Sequence, residues 1–69
     1  MNELDLHGMR HKEAKVRVED FMLLNDTPMR IITGNSPTMK RYVEELAQEH
    51  GLRADVENHY NLGALIVNG

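Results

Sequence analysis

The sequence predicts a single α/β domain in which two helices cover one face of a four-stranded mixed sheet. Three observations favour this two-layer β-α-β-α-β-β sandwich. Short apolar or alternating segments typical of strands are interspersed with two longer segments of helical periodicity. Turns rich in glycine and asparagine separate these segments. The 69 residues are too few for a second core, so residues 1–69 are predicted to form one domain.

The first predicted strand is the segment Leu4-Asp5-Leu6-His7-Gly8. Alternation places Leu4 and Leu6 on one face, towards a core, and Asp5 and His7 on the other. The Cα atoms of Asp5 and His7 would then lie about 7 Å apart, so both side chains could reach one guest molecule. Gly8 is predicted to end the strand, because it allows a sharp turn and a close approach.

The first helix is predicted over residues 11–24, followed by a second strand over residues 29–33. Apolar residues recur at helical spacing in the first of these segments, and a turn cluster at residues 25–28 closes it. The second segment, M-R-I-I-T, is short, apolar and β-branched. Gly34 and Asn35 are predicted to break the strand that it forms.

The second helix is predicted to begin at Ser36 and Pro37, an N-cap hydroxyl followed by proline at the first helical position. Gly51 is its predicted C-terminal stop. Two further strands follow over residues 54–60 and 64–67. The segment Asn61-Leu62-Gly63 is predicted to join them as a short hairpin.

The predicted topology brings three loops together. Right-handed crossovers make the first three strands parallel, and the hairpin makes the fourth antiparallel. Residues 7–8, 34–36 and 61–63 should therefore lie at one edge of the sheet, which we call the loop rim. Open α/β sheets bind ligands at this edge.

Cations occupy both helix starts at the loop rim. Helix N-termini favour acidic residues, because their free amides are positive. Here Arg10, His11 and Lys12 stand at the first start, and Lys40 and Arg41 at the second. A bound phosphate would offset this charge; the alternative is a solvated surface partly compensated by Glu13. The predicted phosphate-binding residues are Gly8, Arg10, Lys12, Gly34, Asn35, Ser36, Lys40 and Arg41.

Two ring-bearing residues adjoin the predicted hairpin. His59 is interpreted as an exposed strand residue. Tyr60 is interpreted as a packing residue rather than as a platform on which a base stacks.

Composition narrows the class of protein. The absence of cysteine excludes disulfides and thiolate metal sites, and the four histidines form no metal-ligand spacing. No apolar run approaches the roughly 20 residues of a membrane span, and the N-terminus lacks a signal-peptide pattern. We therefore expect a cytoplasmic protein without a membrane partner. The net charge of −3 argues against indiscriminate nucleic-acid binding but permits a local basic site.

The motifs resemble those of the Smr domain, the small MutS-related module, over nearly the whole chain. Residues 4–8 match the family's L-D-L-H-G signature, and residues 31–34 fall at its T-G-x-G turn. Residues 62–67 are similar to its last strand. Ser36 stands where the second glycine of that turn belongs.

This resemblance implies a fold like the C-terminal domain of bacterial initiation factor three. It also implies nicking or endonucleolytic cleavage of DNA or RNA. The suspected catalytic pair of the family falls on Asp5 and His7, and its glycine turn on Gly34.

Three functions remain open from the sequence. The first is a phosphodiesterase in which His7 acts as general base or acid, Asp5 orients it or a water, and Arg10 and Lys40 stabilise the transition state. The second is a non-catalytic nucleic-acid-binding module. The third is a protein-interaction domain with an acidic helix face at Glu44, Glu45 and Glu49.

The sequence leaves the cofactor and the assembly unassigned. Mg²⁺ or Mn²⁺ bridging Asp5 and a phosphate is compatible with it, but no metal-ligand motif is present. It specifies neither DNA over RNA nor an oligomeric state.

Overall fold

The computed structural model describes residues 1–58 and 60–69. Its elements are β1 (Asn2–Asp5), α1 (His11–Leu24), β2 (Met29–Ile32), α2 (Pro37–Glu49), β3 (Arg53–Asn58) and β4 (Asn61–Asn68). The predicted order of helices and strands is confirmed. Neither helix is long and apolar enough to cross a membrane.

The four strands form one mixed sheet in the order β1-β2-β4-β3. β1 pairs with β2 in parallel, whereas β4 pairs with both β2 and β3 antiparallel. β3 consequently runs in the same direction as β1 and β2. The predicted strand directions are therefore confirmed, and the ends of β1, β2 and β3 point to one edge of the sheet.

The core lies between the helices and one face of the sheet. Leu4 is in register with Ile31, which is in register with Leu65. These residues form one buried cluster with residues of both helices, including Val18 and Val43, each 0% exposed. Both helices therefore cover the same face, and removal of this apolar surface from water stabilises the two-layer arrangement.

An ion cluster crosses the opposite face of the sheet. The Arg30 guanidinium on β2 donates to Glu3 on β1 at 2.8 Å and, through two nitrogens, to Glu57 on β3 at 2.9 Å each. Its hydrogen bonds hold the pKa of the Glu57 carboxyl below its ordinary value, and the two carboxylates raise the pKa of Arg30. Because β4 lies between β2 and β3, this cluster ties together strands that are not neighbours.

Two predicted turns are wrong, the one after β1 and the one between β3 and β4, where the third strand ends at Asn58 rather than at Tyr60. β1 ends at Asp5 rather than at Gly8, because the chain turns at His7. The predicted hairpin residues Asn61-Leu62-Gly63 belong to β4, and Asn58 pairs directly with Asn61. The Asn58 side-chain carbonyl accepts the N–H groups of Tyr60 and Asn61, both at 2.8 Å, and these bonds turn the chain earlier than predicted. The prediction for His59 lies outside the described residues.

Candidate nucleic-acid interface

His7 projects from a tight turn immediately after β1. The N–H of Met9 donates to the carbonyl of Leu6 at 3.0 Å, which closes a four-residue turn around His7 and Gly8. Gly8, the third residue of this turn, has φ +77°, a conformation that a type II turn requires there and that glycine adopts without strain. His7 is exposed. The interpretation that it shares a strand face with Asp5 is therefore wrong, because it has left the strand.

Asp5 contacts the main chain of His7. Oδ1 of its carboxylate accepts the backbone N–H of His7 at 2.9 Å. This bond fixes the direction in which the histidine leaves the strand. Within residues 1–58 and 60–69, Oδ1 is the carboxylate oxygen that is engaged, and Oδ2 makes no hydrogen bond.

The glycine turn after β2 is held by β4. The N–H groups of Thr33 and Gly34 both donate to the carbonyl of Gly63, at 2.8 and 3.0 Å. The buried Thr33 hydroxyl donates to the carbonyl of Gly34 at 2.9 Å. Gly34 has φ +66°, so a side chain there would be strained. The glycine turn is thus held by the backbone of β4 and by the Thr33 side chain, and none of these hydrogen bonds involves a charged group.

The three loop segments come into direct contact. A Cβ on Gly34 would lie 3.6 Å from Cδ2 of His7, and a Cβ on Gly63 would lie 3.3 Å from Cα of Gly34. His7, Gly34 and Gly63 therefore form a continuous surface at the end of the sheet. The predicted meeting of three chain segments at the loop rim is therefore confirmed for His7, Gly34 and Gly63.

The two helix starts differ in their capping. Ser36 accepts the N–H of Met39 at 3.2 Å and caps α2. Its φ of −81° is open to any residue, so the second glycine of the motif is not needed for this backbone conformation. α1 instead begins after Arg10, whose side chain makes no capping hydrogen bond because arginine has no acceptor. The first turn of α1 therefore keeps N–H groups that an anion could bind.

The predicted basic residues do not gather into one cluster. Lys12 lines a groove on the outer side of α1 with Met9, Val16 and Arg17. Lys40 and Arg41 line another groove on α2, together with Glu44 and Glu45. The ion pairs of the described chain involve none of Arg10, Lys12, Lys40 or Arg41. Lys12 on one side and Lys40 and Arg41 on the other therefore line separate grooves on the two helices. A carboxylate weakens the positive field in each groove, Glu13 beside Lys12 and Glu44 and Glu45 on α2.

The tyrosines occupy different environments. The rings of Tyr42 on α2 and His11 lie perpendicular to each other with their centroids 6.0 Å apart, and Nζ of Lys15 lies 5.7 Å from the centroid of the Tyr42 ring. Tyr60 is 99% exposed. Its interpretation as a packing residue is therefore wrong.

The described residues offer few side-chain ligands for a metal ion. Across the described residues, no group of three or more histidine, cysteine, aspartate or glutamate side chains is placed to hold an ion. Asp5 is the carboxylate at the His7 turn. A site for Mg²⁺ or Mn²⁺ here would need most of its ligands from water and from substrate phosphates.

Sequence reasoning missed the structural roles of Thr33 and Gly63. The sequence pattern places Thr33 in the second strand and Gly63 in the hairpin, whereas in the structure the two residues together anchor the glycine turn. The threonine that follows two isoleucines and precedes Gly34 was the available signal for a buried hydroxyl at the strand end. The role of Gly63 depends on strand order, which the sequence did not specify.

The fold and the loop rim define a small two-layer α/β domain with an exposed histidine turn beside a glycine turn. The family model of the Smr domain matches residues 4–68. The chain therefore belongs to the Smr domain family, whose members are nuclease-associated, nucleic-acid-binding domains. Comparisons with curated proteins and with solved structures returned no match.

Proposed function

We propose that this domain is an endonuclease that nicks or cleaves DNA or RNA at the loop rim, with Asp5 and His7 as its catalytic residues. One observation carries the proposal: the exposed His7 lies against the Gly34 turn while the Asp5 carboxylate holds its main chain. An imidazole is suited to move protons near neutral pH. A glycine turn lets a phosphate approach the backbone closely.

In the proposed reaction His7 moves the proton. It accepts a proton from a water whose oxygen attacks the phosphorus, and the bond from phosphorus to the leaving sugar oxygen breaks. The proton then passes from the imidazole to that leaving oxygen, so charge and atoms balance. Oδ1 of Asp5 keeps the histidine turn in place, and Oδ2 is available to accept a hydrogen bond from the water.

Charge stabilisation in this proposal comes from the residues around the loop rim. Arg10 and Lys40 oppose the negative charge that develops on the phosphoryl oxygens, and Lys12 and Arg41 contact flanking phosphates. Gly8, Gly34, Asn35 and Ser36 supply backbone surface that a phosphate can approach. The free amides at the start of α1 add to this positive potential.

The second candidate is a non-catalytic nucleic-acid-binding module. Ser36 in place of the motif's second glycine favours it, as do Glu44 and Glu45 beside Lys40 and Arg41. The serine side chain occupies space that a glycine would leave to a phosphate, and the two carboxylates reduce the positive potential available to a transition state. Neither prevents phosphate contact at the His7 and Gly34 turns.

Incubation of the pure protein with nucleic acids separates the two candidates. Supercoiled plasmid, single-stranded RNA and structured RNA are each tested with EDTA, Mg²⁺ or Mn²⁺. An endonuclease yields nicked or shortened products, whereas a binding module shifts the mobility of the same substrates without products. Binding with about three to five phosphate contacts should weaken with salt at a slope of log K near −3 to −4; a flat response would contradict both candidates. The cytoplasmic location stays a prediction.

A further inference from the structure

Tyr60 is the most exposed large hydrophobic side chain in the described part of the molecule. Its exposed fraction is 99%, against 82% for Leu24 and 74% for Met1. An aromatic ring gains most from burial, so full exposure on a folded domain needs an explanation. Packing within the chain does not supply one.

The backbone N–H of Tyr60 is nevertheless engaged in a hydrogen bond. The Asn58 side chain accepts the N–H groups of Tyr60 and Asn61 at 2.8 Å. The Asn61 amide donates to Glu57 at 2.9 Å, and Glu57 receives two hydrogen bonds from Arg30 in the middle of the sheet. The Tyr60 ring is therefore exposed to solvent on a residue whose N–H is bonded to Asn58, next to Asn61, which is linked to the sheet through Glu57.

Tyr60 is also close to the loop rim along the chain. Three residues on, Gly63 accepts the N–H groups of Thr33 and Gly34. Three residues of extended chain span at most about 10 Å between Cα atoms. A strand with a phosphate at Gly34 would thus bring one of its neighbouring bases within reach of Tyr60.

The other aromatic side chains are already engaged. The sequence has one Phe and two Tyr. Phe21 packs partly buried against the core, and Tyr42 contacts His11 and Lys15. Of the Phe and Tyr side chains, Tyr60 has both faces open to a ligand.

We propose that Tyr60 stacks on an unpaired base of a single strand whose phosphate lies at the Gly34 turn. This inference rests on the proposed nucleic-acid function and adds a substrate class to it. In a duplex the base faces are covered by their neighbours, whereas an unpaired base offers a face to an aromatic ring. The loop rim therefore prefers single-stranded segments or loops over continuous duplex.

The test compares affinities of wild type, Tyr60→Ala and Tyr60→Phe for two probes. These are a mixed-sequence single strand of about 12 nucleotides, a length within the usual range for stacking platforms, and the same strand annealed to its complement. We expect Tyr60→Ala to weaken single-strand binding about 5- to 150-fold and to leave duplex binding within about twofold of wild type. Tyr60→Phe should bind like wild type, because the ring is retained. Leu24→Ala, at another highly exposed apolar position at the far end of α1, is the matched control and should bind like wild type.

A direct readout of the ring accompanies the affinities. The chain has no tryptophan, so in a Tyr42→Phe background Tyr60 is the sole tyrosine fluorophore. The single strand should quench its emission more than the duplex does. Wild type that binds the single strand while Tyr60→Ala binds it equally well overturns the stacking proposal alone. Wild type that binds neither probe overturns the proposed function together with it.

Discussion

At the scale of single residues, Asp5 combines two roles in the proposed site. One carboxylate oxygen holds the N–H of His7 at 2.9 Å, and this contact sets the direction of the histidine. The other oxygen is open to a water. An asparagine at this position would keep an acceptor for the N–H and lose the charge. Asp5→Asn therefore separates the effect on the turn from the effect on the reaction.

Gly63 tests whether the contact between the loops matters. A Cβ added here would lie 3.3 Å from Cα of Gly34, so the backbone of the glycine turn must move. We expect Gly63→Ala to lower the free energy of unfolding by about 1–3 kcal/mol and to weaken nucleic-acid binding, as measured by urea denaturation and by polarisation.

Gly69→Ala is the control for that substitution. Its Cβ would lie 3.7 Å from the Thr27 side chain, an ordinary contact. It should leave both quantities unchanged. Gly63→Ala with wild-type stability and binding would show that the two loops do not depend on their close packing.

At the scale of elements, Ser36 is the cap of α2 as well as the departure from the glycine motif. Loss of its bond to the Met39 N–H in Ser36→Ala should lower the free energy of unfolding by about 1 kcal/mol. Ser36→Gly should lower it by only a few tenths of a kcal/mol, because glycine is itself a fair N-cap. Thermal denaturation of the two variants measures the difference. Equal stability of Ser36→Ala and wild type would mean that the cap contributes nothing.

The ion cluster on the sheet predicts a dependence of stability on pH. Arg30 lowers the pKa of Glu57 below 4.5, so folding favours the charged carboxylate. This contribution is fully present above pH 4.5 and is lost as the pH falls through the lowered value. The stability gap between wild type and Glu57→Gln should therefore be constant near neutral pH and should close in acid, as followed by urea denaturation across pH.

The exposed pair of Arg53 and Asp55 serves as the comparison for that cluster. Its nitrogen and oxygen atoms lie 3.3 Å apart on side chains that are 82% and 64% exposed. Asp55→Asn should change stability little at any pH, because water screens such a pair. If the difference in stability between wild type and Glu57→Gln stays constant into acid, then the charged Glu57 carboxylate does not stabilise the fold through Arg30.

At the scale of the whole molecule, stability depends on few core residues. A chain of this length buries only about 60% of its unfolded surface. Leu6 is 1% exposed, and its N–H donates to Ile32 at 2.8 Å. We expect Leu6→Ala to remove about 2–5 kcal/mol, a large part of a total that is typically 5–15 kcal/mol. Thermal denaturation should show this loss. Leu24→Ala, at a position that is 82% exposed, is the control and should have the melting temperature of wild type. A Leu6→Ala variant with the same melting temperature as Leu24→Ala would contradict the burial of Leu6.

Local signals explain which parts of the fold were predictable. The bounds of α1 follow from its periodicity and from the turn cluster after Leu24. The start of α2 follows from Ser36 and Pro37. The meeting of three loops follows from parallel strands joined by right-handed crossovers.

Features that depend on strand order or on single side-chain bonds were not predictable. The reach of Arg30 to Glu57 requires β4 to lie between β2 and β3. The turn after Asn58 depends on hydrogen bonds to the Asn58 side chain. By composition alone, the segment Asn61-Leu62-Gly63 is the more typical turn sequence. The His7 turn likewise depends on one oxygen of Asp5.

The rate of cleavage in single turnover tests the central claim most directly. Wild type, His7→Ala, Asp5→Asn and the double variant are compared on one substrate, with folding checked by circular dichroism and binding by polarisation. His7→Ala should lower the rate about 10²- to 10⁴-fold with folding and binding nearly intact. Asp5→Asn should also lower it, and the double variant should be little slower than the slower single one, because the two residues act as a unit. A wild type that cleaves while both single variants keep its rate, or a wild type that binds and never cleaves, would contradict the account.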